Sequence, residues 1–128
     1  MYNPMVVDVG SGTEVDRLFQ ALADSTRRDI VARVLQGEHS VTALASRYEM
    51  SFAAVQKHVA VLERASLVTK RRRGREQLVR GEVAGLRTAA RLLDAYEELW
   101  RGRADRIADL LAEECPQPSG EPSRRSAR

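Results

Sequence analysis

Two segments joined within a few residues constrain this chain most. Ser51–Arg64 has apolar residues at helical spacing, with Val55, Val59 and Leu62 on one side. Leu67–Arg80 then alternates polar and apolar residues and carries a run of arginines. Leu67-Val68 and Leu78-Val79 bracket this second segment, and Gly74 lies near its middle, so it reads as a β-hairpin. A helix that passes at once into a basic hairpin leaves few architectures open. Like charges gathered at the hairpin tip, from Arg72 to Arg75, repel one another, and an anionic partner is the simplest reason for them.

The 128 residues suit one small domain with tails, and 43% of them are hydrophobic, enough for a core. Aromatic residues are 5%, so that core should be aliphatic and mostly helical. The formal charge of +3 is unevenly spread. Ser51–Arg80 holds eight Lys or Arg against two acidic residues, +6, and the remainder sums to −3. Such a basic centre fits a polyanion binder, and on charge alone a solvated surface is an equal alternative. The single cysteine, Cys115, forbids an intrachain disulfide. There is neither a signal-peptide pattern nor an apolar run of the roughly 18 residues that span a bilayer, so a cytoplasmic protein is expected.

Along the chain, residues 1–12 read as a flexible lead, 13–114 as the folded domain and 115–128 as a disordered, proline-containing tail. Thr13 can cap a first helix over 13–23, with Val15, Leu18, Phe19 and Leu22 at helical spacing. Asp24 or Ser25 can cap a second, which buries Ile30, Val31, Val34 and Leu35 and ends at Gly37. Ser40 or Thr42 can cap a third, with Val41, Leu44, Ala45 and Tyr48 on its apolar face. After a turn at Glu49-Met50, Ser51 caps the fourth. A last helix is expected over 82–114. Its stripe of Val83, Leu86, Ala90, Leu93, Tyr96, Trp100, Ala104, Ile107 and Leu111 is too long for this domain to bury alone. A second copy of the same helix is the expected cover, and packing within the chain is the alternative. The fold class expected is mainly α with a small β-hairpin wing: a winged helix-turn-helix with a long C-terminal dimerisation helix.

Four motifs in this order resemble one family. Ala21–Ile30 resembles the "LADPTRRRIL" signature of ArsR/SmtB-type bacterial repressors, and Val41–Ala45 resembles their "SVGELA" helix. Ser51–Leu62 resembles their "SxSAVSKHLxVL" recognition helix, and Ala65–Val68 their "AGLV" exit. The resemblance covers roughly residues 14 to 112. It implies a dimeric winged helix-turn-helix that binds an operator and represses. The cysteines of one metal site typical of that family are missing from Ser40–Ser46, and the last helix contains no histidine for the other. Trp100–Ile107 instead resembles the "WxxRLxxL" pattern of the metal-independent branch, with Ala104 in place of leucine. No metal and no cofactor are therefore expected.

The residues expected to meet double-stranded DNA are Ser51, Phe52, Ala54, Gln56, Lys57, His58, Lys70, Arg71, Arg72, Arg73 and Arg75. Gln56 suits adenine and Lys57 suits guanine, both read in the major groove. Ser51 suits a phosphate at a helix start, and the arginines suit phosphates or a narrow minor groove. Phe52 can touch a thymine methyl or pack on the preceding turn, and His58 can meet phosphate or bond back to the domain. Arg27 and Arg28 are expected in a structural ion pair with Asp24 or against a neighbouring helix. Leu18, Phe19, Leu22, Leu86, Leu93, Tyr96, Trp100, Ile107 and Leu111 are expected at a homodimer seam. The alternatives are a redox- or small-ligand-responsive sensor repressor that uses Cys115 or a dimer-interface pocket, and an interaction module that has lost DNA binding. No arrangement of residues suggests an enzyme. The residues specify neither operator, regulated genes nor inducer.

Overall fold

The computed structural model describes residues 12–114. The lead over 1–11 and the tail over 115–128, with Cys115, lie outside the described residues. The elements run α1 (Gly12–Leu22), α2 (Ser25–Gln36), β1 (His39–Ser40), α3 (Val41–Tyr48), α4 (Phe52–Arg64), β2 (Val68–Arg73), β3 (Glu76–Gly81) and α5 (Ala84–Glu114). The described chain is thus mostly helical with a small three-stranded antiparallel sheet, ordered β1-β3-β2.

Short polar side chains set the helix starts. Asp24 accepts from the Arg27 backbone N–H at 3.0 Å, Ser40 from Ala43 at 3.0 Å and Ser51 from Ala54 at 3.1 Å. Each cap satisfies an otherwise orphaned donor and contributes about 1 kcal/mol. Glu49 ends α3 in the left-handed region at φ 55, and the Met50 N–H returns to the Ala45 carbonyl at 3.0 Å. This closure turns the chain sharply into α4. Thr13 lies inside α1 rather than capping it.

Two compact units divide α5 between Leu93 and Asp94. The core belongs to the first. It joins Leu18 and Ala21 of α1, Ile30, Val31 and Val34 of α2, Val41 and Leu44 of α3, and Val55, Val59 and Leu62 of α4. Ala65, Leu67, Val68, Val79 and Ala89 complete it. These side chains are almost wholly aliphatic, and full burial of each Leu, Val or Ile contributes about 1.5–3 kcal/mol. In the second unit, Arg101 pairs with Glu97 and Glu98 one turn away.

Several expectations are corrected. Leu18, expected at a dimer seam, is 1% exposed and lies within the protomer's own core. Phe19, Leu22 and Leu86 are partly buried against the same core. Leu35, expected inside, is 43% exposed, because α2 turns only Ile30, Val31 and Val34 inward. On α5, Ala89 and Leu92 are buried in the protomer although neither belongs to the expected stripe, while the stripe residues Ala90 and Leu93 are exposed there. No strand was expected between α2 and α3, yet His39 and Ser40 form one, with His39 paired to Val79 and Ser40 to Leu78.

Of the two partners expected for the arginines after Asp24, the neighbouring helix is the one observed. It is the backbone of Arg27, not its guanidinium, that meets Asp24. The Arg27 guanidinium donates to the carbonyls of Ala21 at 2.9 Å and Gln20 at 3.1 Å, and Arg28 donates to Leu22 at 2.9 Å. Both cations thus satisfy the free carbonyl end of α1 and complement its dipole.

Candidate nucleic-acid interface

α4 is held by one face and open on the other. Val55, Val59 and Leu62 anchor it in the core, while Phe52, Ala53 and Lys57 are exposed and Ala54, Gln56 and Ala60 are half-buried. The small side chains at Ala53, Ala54 and Ala60 leave Gln56 and Lys57 as the longest polar groups of the open strip. Phe52 is 49% exposed, so it does not disappear into the preceding turn. Ser51 spends its hydroxyl on the cap of α4. His58 turns away from the strip: its Nδ1 lies 3.3 Å from Arg27 Nη1, which ties α4 to α2.

The hairpin has the register Arg73↔Glu76, which leaves Gly74 and Arg75 as a two-residue turn. Gly74 has φ +63, and Arg75 is not among the non-glycine residues of positive φ. That is the II′ pattern, which takes glycine at the first central position and matches the twist of the strands. Arg72, Arg73 and Arg75 are exposed at the tip. Two further wing cations, Lys70 and Arg71, are engaged within the protein. Lys70 pairs with Glu63 of α4 at 3.3 Å, which clips the wing beside the helix. Arg71 donates through Nε at 2.9 Å and Nη2 at 3.1 Å to the two oxygens of Glu38.

These contacts hold three carboxyls below their ordinary range. Asp24 is lowered by the Arg27 backbone N–H. Asp29 is lowered by hydrogen bonds from Tyr48 and then Arg33. Glu38 is lowered by the Arg71 hydrogen bonds, with the charges of Arg71, Arg80 and Arg73 adding to them. Burial and the Asp29 hydrogen bond raise the Tyr48 phenol. The Tyr48–Asp29 bond staples α3 to α2 and supports the turn into α4 from behind.

On α5, Leu93, Tyr96, Trp100, Ile107 and Leu111 are all exposed, Trp100 by 64%. Leu99 and Leu110 are exposed as well and were not among the residues expected at a seam. Their neighbours Trp100 and Leu111 carried the periodic signal, and a helical stripe two residues wide would have included them. Glu38 and Glu63 were also missed, because partners far apart in sequence leave no local pattern. Among the described residues no three His, Cys, Asp or Glu are grouped to hold a metal ion, and no helix is long and apolar enough to cross a membrane.

Comparison with known proteins agrees with this geometry. A family model described as a helix-turn-helix domain matches residues 22–71, the end of α1 through part of β2. The HTH-type transcriptional regulator Rv2034 of Mycobacterium tuberculosis is 36% identical over 99 residues, which cover 77% of this chain and 90% of that protein. The structure of an ArsR-like transcriptional regulator from Rhodococcus sp. RHA1 matches with TM-score 0.73 and 31% identity, over 84% of this chain and 98% of that one. The homodimeric winged helix-turn-helix DNA-binding domain of Mb0332 from Mycobacterium bovis, a possible ArsR-family regulator, matches with TM-score 0.53 and 27% identity, over 82% and 83% of the two chains. With its signature helices, its hairpin wing and these relatives together, the chain belongs to the ArsR family of winged helix-turn-helix transcriptional regulators.

Proposed function

We propose that this regulator is a homodimeric, cytoplasmic repressor that reads a palindromic operator. α4 lies in the major groove, where Gln56 and Lys57 reach base edges and Ser51 and Phe52 face the groove wall. Arg72, Arg73 and Arg75 meet backbone phosphates or the adjacent minor groove. The observation that carries this reading is the open strip of α4 with a basic wing clipped beside it by Lys70 and Glu63. A helix fixed by Val55, Val59 and Leu62 presents its outer face without rearrangement. His58 serves the fold through Arg27, and Arg71 serves it through Glu38.

Dimerisation is supported by the apolar side chains left exposed on α5, among them Leu93, Tyr96, Leu99, Trp100, Ile107, Leu110 and Leu111. A row of large apolar side chains on one helix marks an association surface. The homodimeric Mycobacterium bovis domain supports a second copy as the partner. Footprinting of the DNA upstream of its own gene, together with sedimentation of the free protein, tests the reading. A dimer that protects two half-sites about 10 base pairs apart is expected. A monomer, or protection without two-fold symmetry, would contradict it.

A further inference from the structure

A second basic feature lies apart from the open strip and the wing. Arg17 and Gln20 of α1, Arg27 of α2, and Val61 and Arg64 of α4 line one cleft of about 320 Å³. Three of these five lining residues are arginines, and no carboxylate lines the cleft. Guanidinium groups gathered around a concave space repel one another unless an anion shares them.

Arg27 is the fixed member. A guanidinium has five N–H donors. Bonds to Ala21, Gln20 and His58 hold the group in place and leave donors over. A cation already fixed loses little freedom when it takes a ligand. Arg27 and Arg28 also neutralise the carbonyl end of α1, which would otherwise oppose an anion at this place. Arg17 and Arg64 are exposed and reach in from the flanking helices, and the Gln20 amide offers a neutral donor. Val61 supplies an apolar wall. Planar, forked donors on three sides match the oxygens of a phosphate or carboxylate.

We propose that this cleft is an oxyanion-binding site whose ligand carries a phosphate-type group. Two sources share that chemistry: a free phosphorylated small molecule, and a phosphate of operator DNA flanking the major-groove contact. Only the second source rests on the operator reading above, so the site is tested first without DNA.

The test follows the arginine side-chain N–H signals of the ¹⁵N-labelled full chain during titration with inorganic phosphate and with pyrophosphate. Saturable shifts at Arg17, Arg27 and Arg64 are expected. Arg17→Gln combined with Arg64→Gln should weaken that binding roughly tenfold or more, as expected when charge-assisted hydrogen bonds are removed. Arg87→Gln, on the exposed side of α5, should leave it unchanged. An unchanged melting temperature of the double variant shows that the fold is intact. Shifts that stay linear and spread over all arginines would overturn the site, as would equal saturation in the double variant. The same variants are then titrated with operator DNA. A salt slope lower by about 0.9 for each phosphate no longer neutralised would assign the site to the DNA backbone, and an unchanged slope would assign it to a free anion.

Discussion

Arg71 holds both oxygens of Glu38, at 2.9 and 3.1 Å, across 33 residues of sequence. Glu38 thus occupies an arginine of the wing as a phosphate would, and Arg80 and Arg73 add their fields to the same carboxylate. Glu38→Gln should release Arg71 to the DNA. The expected outcome, read by fluorescence anisotropy at several salt concentrations, is a few-fold gain in affinity for any duplex. The log–log salt slope should steepen by about 0.9 per protomer. An unchanged slope would show that Arg71 only braces the wing.

The wing tip and the helix should separate in their effects. Replacing Arg72, Arg73 and Arg75 with glutamine should flatten the salt slope by about 0.9 for each phosphate left without its arginine and leave sequence preference nearly intact. Gln56→Ala should do the reverse: it should cost about 1–3 kcal/mol of discrimination at one base pair and keep the slope. Parallel titrations of operator and scrambled duplex check both.

Gly85 should be intolerant of a side chain. A Cβ there would stand 2.5 Å from the Ala65 carbonyl oxygen and 2.9 Å from that of Ser66. Its own N–H already binds the Ser66 carbonyl at 2.9 Å, so the start of α5 is fixed against the turn that leaves α4. Ser66 itself sits at φ 59, and the turn has little room to yield. Gly85→Ala should destabilise the protein by about 1–3 kcal/mol in urea melts, despite the better helix propensity of alanine. Gly102→Ala, with only the Arg106 guanidinium near its Cβ position, should be neutral or stabilising.

The acid side of the stability profile follows from three carboxyls. Asp24, Asp29 and Glu38 have folded pKa values below their ordinary ones, so the folded protein favours their ionised forms. That contribution is complete above the ordinary carboxylate range and is lost as the pH falls through the ordinary values to the lower folded ones. Melting temperature should therefore drop on acidification below about pH 4.5. Asp29→Asn should make the drop shallower, since it removes one of the three groups. A parallel drop in wild type and variant would contradict the assignment.

Trp100 reports assembly. It is 64% exposed in the protomer, so its emission should be that of a wet indole when the protein is alone and should shift to the blue in the dimer. Dilution should move it back to the red. Leu93→Glu should produce the red emission at every concentration, and sedimentation should find a monomer.

Much of the fold was legible because it is set locally. Asp24, Ser40 and Ser51 announce the starts of α2, α3 and α4, and Gly74 announces the turn of the wing. What was misread depends on three-dimensional placement. α1 is so short that its spacing could not tell the core residue Leu18 from residues free for a partner. Ala89 and Leu92, which face the protein's own core, fell outside the stripe read on α5, whose larger side chains from Leu93 onward stay exposed in the protomer. β1 has only two residues and no pattern of its own, and its strand character comes from Leu78 and Val79 opposite. Of the candidate DNA contacts, the open strip of α4 followed from its period. The pairings of His58 with Arg27 and of Arg71 with Glu38 join residues far apart in sequence, and no local pattern announces them.

The central claim is that α4 and the wing bind operator DNA specifically. The direct test titrates the purified protein against the DNA upstream of its own gene, at two salt concentrations and with a scrambled competitor. Zinc and reductant are each added and omitted. Tight, competitor-resistant binding that weakens steeply with salt and ignores zinc and reductant is the predicted result. Binding that the scrambled duplex abolishes, or that zinc or oxidation controls, would contradict the account.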